Sequence, residues 1–225
     1  MVRFIHLTCI FLLMILVSAC SSFNVKEIGK SDIDLVADTH RQSVDALIYE
    51  LMGKLYKRNP RELSKQAEPI IGAQVQRLRQ MIVKDQPLLV DGDEDIAILR
   101  KGFSADFQGD RVFHLMAGLI SMTHKSYNYR SDFFLFDKLD QQKLYNSARN
   151  IEVFAWLLRT SKDASGQPVL LSTALKGPVI NLSFERLIGK MIALQDMMAV
   201  ISADGDRRTI KSVAQGVIRA IFLPI

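Results

Sequence analysis

The sequence predicts a mostly α, single-domain protein of about six helices. Three observations carry that expectation. Apolar side chains recur with the 3.6-residue period of an amphipathic helix through most of the chain. Capping and breaking residues (Ser31, Asn59-Pro60, Gly109, Asp137, Ser183, Asp204-Gly205-Asp206) fall at the ends of those periodic stretches. The chain has 225 residues, 48% of them hydrophobic, which is enough for one packed core and too few for a string of domains.

A first helix starts after Ser31 and ends before Asn59-Pro60, because Ile33, Val36, Val44, Leu47, Ile48, Leu51 and Leu55 share one arc, with His40 among them. A second begins with Pro60 as its first residue, capped by Asn59, and resumes after Pro69 through Val75, Leu78, Met81 and Ile82. Pro87 and the run Asp91-Gly92-Asp93-Glu94-Asp95 then mark a loop, expected to be a solvated acidic turn. From Asp110 to Tyr127 a long helix presents Val112, Met116, Leu119 and Ile120 on one face. Asp137 is the expected cap of a helix reaching Thr160, with Leu144, Ala148, Ile151, Ala155 and Leu158 inside. Val169–Ser172 and Val179–Leu182, separated by Gly177-Pro178, read as a short β-hairpin near 169–182 or as extended connections. Ser183 opens the clearest amphipathic helix, striped by Phe184, Leu187, Met191, Leu194, Met198 and Ile201. A last helix from Arg207 turns Ile210, Val213, Ala214, Val217 and Ile221 inward.

The N-terminus has a different character. Arg3 precedes an apolar stretch from Phe4 to Val17, then Ser18-Ala19 stand before Cys20, the layout of a secretion signal and too short to span a membrane comfortably. Val17-Ser18-Ala19-Cys20 resembles the lipobox of bacterial lipoproteins. That resemblance implies cleavage before Cys20, a diacylglycerol thioether on its sulfur, acylation of the new amine, and thus a lipid-bilayer anchor. Ser21 after the cysteine implies sorting to the outer membrane, periplasmic face. Residues 1–19 are then the signal, 20–30 the lipidated cysteine and its tether, and 31–225 the helical periplasmic domain. Ten extended residues reach on the order of 30 Å, which keeps the domain near the membrane surface. The stretch Asp110–Tyr127 and the run Asp140–Arg149 also resemble uncharacterised lipoproteins of Gram-negative bacteria, a family that implies no activity.

Loss of Cys9 with the signal and lipidation of Cys20 leave no thiol for a disulfide, a zinc site or a nucleophile. Loss of Arg3 brings the formal net charge from +5 to +4, a mild excess that, in an exported chain, speaks against nucleic acid as a partner. The nucleophile elbow, the dinucleotide fingerprint, the P-loop and His-Glu-x-x-His are all absent from the sequence. His114 and His124 stand ten apart and point about 80° away from each other on a helix. No metal and no cofactor is therefore expected, and His40 reads as a core histidine.

Glycan cleavage would need a protonated carboxyl in an apolar pocket, for which Glu185, Asp132, Asp137 and Asp140 are the candidates. Asp137, Asp140 and Glu185 are better explained as first-turn acids favoured by the helix dipole. Basic patches occur at Lys54-Lys57-Arg58-Arg61 and at Arg208, Lys211 and Arg219. The dense run Tyr127 to Phe136 is expected to lie mostly in the core, with Tyr127, Tyr129 and Arg130 as exposed contacts. The expectation for function is a non-enzymatic adaptor or accessory factor serving an envelope protein. A glycan-remodelling enzyme is the first alternative. A carrier of a small hydrophobic ligand, lined by Met191, Met197 and Met198, is the second.

Overall fold

A computed structural model describes residues 32–131, 133, 139–174, 180–206 and 222–225. The signal, Cys20 and the tether lie outside the described residues, as do Asp132, Asp137 and the last helix expected from Arg207, with Arg208, Lys211 and Arg219. Seven helices and one short hairpin make up the described fold: α1 Asp32–Arg58, α2 Pro60–Leu63, α3 Ile71–Met81, β1 Leu89–Val90, β2 Asp93–Glu94, α4 Asp95–Phe103, α5 Arg111–Ser126, α6 Gln141–Thr160 and α7 Ser183–Asp206. The mostly α class is as the periodicity predicts.

Helix α5 is the axis of the fold. Every residue from Arg111 to His124 is buried, so the helix is covered on all sides, by α1, α4 and α6 above all. Its N-terminus is fixed by Asp110, whose Oδ1 accepts from the Phe113 N–H at 3.0 Å. Helix α4 lies against it at two glycines, Gly102 facing Leu115 and Gly118 facing Leu99, where the missing side chains let the helices approach closely. Helix α7 packs on α1 and α6. His40 faces the backbone of Leu194, and Lys54 lies 5.5 Å from the Phe184 ring centre, so α1 and α7 run antiparallel. The chain end is pinned to α6: Asn150 exchanges hydrogen bonds with the Leu223 backbone, and Asn146 Nδ2 donates to the Pro224 carbonyl at 2.9 Å.

Three local expectations are corrected. The acidic run is a tight hairpin in which Leu89 pairs with Glu94 and Val90 with Asp93. Its turn residues Asp91 and Gly92 both have positive φ, 52° and 83°, as the two-residue Asp-Gly turn requires. Helix α4 starts at once, with Asp95 buried rather than solvated. Asn59 caps nothing with its side chain: Nδ2 donates to Leu55 O and Leu171 O at 2.9 Å, and Oδ1 accepts from Leu171 N at 2.7 Å. The side-chain amide thus holds the 169–172 segment as a neighbouring strand would. Among its described residues that region carries an antiparallel bridge, Ala174 to Asn181. The cap of α6 is Asp140, whose Oδ1 accepts from Gln142 N at 2.9 Å and Lys143 N at 3.2 Å.

Candidate functional site

Helices α1 and α7 leave a groove along their outer seam. Each contributes residues at i, i+3, i+4 and i+7: Ser43, Ala46, Leu47 and Glu50 from α1, and Lys190, Ala193, Leu194 and Met197 from α7. Residues at that spacing share a face, and the antiparallel pairing brings the two faces together into a depression of about 590 Å³. Its floor is almost wholly apolar. The small side chains of Ser43, Ala46 and Ala193 keep it open, and Glu50 and Lys190 give it opposite charges on opposite helices. Beyond Met197 the same seam carries Val200 on α7 and Leu35 on α1, which the antiparallel register sets across from each other. All three are about half exposed, at 48%, 53% and 45%. These exposed apolar side chains extend the apolar lining of the groove along the seam.

Sequence periodicity placed both helices but not the groove. Leu47 and Leu194 belong to the stripes that periodicity picks out, and the other lining residues look, on each helix alone, like ordinary flanking positions. Of the three methionines, Met191 and Met198 are fully buried in the core and only Met197 reaches the groove, so no Met-lined cavity forms from them.

The other candidates are held by structural partners. His40 is a core residue, its pKa lowered by burial and partly restored by the backbone of Leu194. His124 Nε2 meets Asp45 Oδ1 at 2.8 Å, tying α5 to α1. Glu185 accepts from Thr173 Oγ1 at 3.1 Å and faces Arg159 at 3.6 Å, and Asp140 is the α6 cap. Neither lines the groove or either of two further cavities. Glu152, which the sequence did not single out, has its pKa raised by burial, opposed by Arg149 at 3.2 Å. In the first basic patch, Lys54 is committed to Phe184 and Arg61 to the Val169 carbonyl at 3.1 Å, while Lys57 and Arg58 are exposed. Among the described residues no three His, Cys, Asp or Glu side chains gather as a metal site.

The aromatic run corrects another expectation. Tyr127 is completely buried in a small second core with Ala37, Phe133, Leu144, Met198 and Ala199. Tyr129 is half-buried and donates to Asp95 Oδ2 at 2.7 Å, and of the three expected contacts only Arg130 is exposed. The reason is the helix end: Tyr127 is the C-cap position of α5, where the chain turns back across the core through Asn128 and Tyr129, both with positive φ. The Tyr127 hydroxyl is buried without a hydrogen-bond partner, and burial pushes its pKa up. Tyr127→Phe is therefore expected to leave stability unchanged or to raise it by up to about 1 kcal/mol, read from the urea midpoint. A loss of more than about 1 kcal/mol would show that the hydroxyl is bonded.

A second cavity, of about 280 Å³, is lined by Arg61, Glu62, Lys65, Arg111 and Asp163 among others. Its charges are engaged with one another and with the backbone. Glu62, 2% exposed, accepts from Arg111 N at 2.9 Å and Lys65 Nζ at 2.8 Å. The Arg111 guanidinium donates to the carbonyls of Gly102, Ser104, Ala105 and Phe107, which ties down the loop between α4 and α5. Set against models of known families, curated proteins and solved structures, the chain shows no significant match.

Proposed function

We propose that this protein is a lipid-anchored, periplasm-facing lipoprotein that acts as a non-enzymatic adaptor, receiving an amphipathic helix of an envelope partner in the α1/α7 groove. The groove carries the reading: two parallel apolar stripes on antiparallel helices offer a third helix the i, i+3, i+4, i+7 contacts of helix-in-groove recognition. Ala46 and Ala193 allow close approach, Met197 adapts to the shape of the partner, and Glu50 and Lys190 fix its direction through oppositely charged rims. The lipobox-like Val17–Cys20 supplies the anchor and the short tether holds the groove near the bilayer.

A photo-cross-linking residue at Met197, introduced in cells, tests this. The expected adduct maps by mass spectrometry to an amphipathic helical segment of one envelope protein. It is lost in Ala193→Glu, which places a charge in the groove at an exposed helical position, and is absent when the probe sits at exposed Gln76 on α3. Cys20→Ala is expected to release the chain from the membrane fraction. An adduct that survives Ala193→Glu, one confined to a second copy of this chain, or unchanged membrane partition of Cys20→Ala overturns the corresponding part of the reading.

A further inference from the structure

A third cavity, of about 480 Å³, lies beside the loop before α5, away from the groove. Its volume is in the range of small-ligand sites. Three carboxylates line it, Asp91 from the hairpin turn, Asp106 from the loop and Asp110 at the start of α5. The one cation in the lining, Arg77, is already committed: it donates to Gln66 Oε1 at 2.9 Å and stacks 4.3 Å from the Phe113 ring centre. Asp110 is likewise satisfied, accepting from Tyr56 OH at 2.6 Å, Gln66 Nε2 at 2.8 Å and Phe113 N at 3.0 Å.

The lining keeps a net negative charge, three carboxylates against one guanidinium. Among the described residues Asp106 makes no ion pair, and Asp91, 63% exposed, is paired with Lys101 at 3.7 Å. Between the carboxylates and the protein interior stands His114. Its side chain is only 8% exposed, its Nε2 is buried with no hydrogen-bond partner, and that nitrogen is 3.5 Å from Asp91 Oδ2. Burial lowers its pKa, so near pH 7 the ring is neutral and adds no competing positive charge. Met81, the half-exposed Leu89 and the Phe107 ring complete the wall with apolar surface. Acceptors of net negative charge beside an apolar wall match a ligand that is cationic at one end and aliphatic along its stem.

We infer that this cavity binds an alkylammonium group, its charge held by Asp91, Asp106 and the His114 imidazole and its methylenes laid on Met81 and Leu89. The group belongs to a free small amine or to a lysine side chain of a polypeptide. Calorimetric titration of the full chain in detergent at low salt, with n-pentylamine, Nα-acetyl-lysine N-methylamide and 1-pentanol as probes, separates the cases. At least one ammonium compound is expected to bind, with 1-pentanol at least tenfold weaker. Asp91→Asn and Asp106→Asn are each expected to raise the Kd about two- to fivefold, the range of a single exposed ion pair. Tighter binding of the lysine amide identifies a polypeptide side chain as the source, and equal or tighter binding of pentylamine identifies a free amine. Equal affinity for 1-pentanol, an unchanged Kd in both variants, or no binding of either ammonium compound overturns the assignment. None of these outcomes depends on the groove.

Discussion

Asp95→Ala is expected to destabilise the protein by about 3–4 kcal/mol, read as a lowered urea midpoint at unchanged slope. The carboxylate is 5% exposed and satisfies three donors: Ser121 Oγ at 2.7 Å, Lys125 Nζ at 2.8 Å and Tyr129 OH at 2.7 Å. Losing it leaves Ser121 buried and unpaired. Lys125, 35% exposed, swings toward water and recovers part of the loss, which is why the effect falls in the lower part of the range for a broken buried pair. The backbone adds a second term. Asp95 has φ 48°, a left-handed conformation that aspartate and asparagine tolerate better than alanine, by about 1 kcal/mol. Asp95→Asn keeps that tolerance and is expected to cost less, roughly 2 kcal/mol. A spectroscopic readout distinguishes this network from simple loss of packing. Burial, the bond to Asp95 and its charge hold the Tyr129 phenol protonated well above its usual range, so Asp95→Ala should let tyrosinate absorbance appear at lower pH. An Asp95→Ala protein within 0.5 kcal/mol of the parent would mean that the network contributes nothing net.

The second large effect concerns the α4/α5 contact. A Cβ on Gly118 would stand 2.8 Å from Leu99 Cγ and 2.9 Å from the Leu99 backbone nitrogen, distances that real side chains do not reach. A side-chain tip moves cheaply, but a backbone nitrogen moves only with its helix, so Gly118→Ala must push α4 away from α5 along a fully buried seam. The expected cost is about 2–3 kcal/mol, the upper part of the overpacking range. Gly102→Ala, on the same seam, meets Leu115 Cδ2 at 2.8 Å and no backbone, and should cost less. Gly189→Ala on α7 meets nothing within 4 Å and is expected to stabilise by up to about 1 kcal/mol through helix propensity. The order Gly118, Gly102, Gly189 is the result to check by thermal or urea unfolding. Equal costs at 118 and 102 would show that the helices separate without strain.

These two positions show where sequence reading stops. Nothing local distinguishes Gly118 from Gly189, since both sit inside strongly periodic helices, and only the arrival of Leu99 separates them. Asp95 reads as part of an acidic run, the usual mark of a solvated turn, yet its three partners, Ser121, Lys125 and Tyr129, lie 26, 30 and 34 residues on. The flanking strands are only two residues each, too short for alternation to announce them, although Asp91-Gly92 does carry the turn chemistry. Tyr127 departs from its expected exposure for a related reason: an aromatic beyond a helix end looks exposed in sequence, but the chain doubles back over Ala37 and Met198.

The sequence by itself determined the mostly α class and the extents of α1, α5 and α7, because periodicity is set by neighbours within a few residues, whereas the cap of α6 falls at Asp140, three residues after the expected Asp137. It also supports the expectation of a lipidated N-terminus, since a signal is read as linear sequence. Tertiary structure alone decided the α1/α7 groove and the cavity of Asp91, Asp106 and His114. Both are made of residues drawn from separate elements, as far apart in the chain as Ser43 and Met197. Whether such side chains meet depends on how helices pack, and packing is a property of shapes brought together from distant parts of the chain.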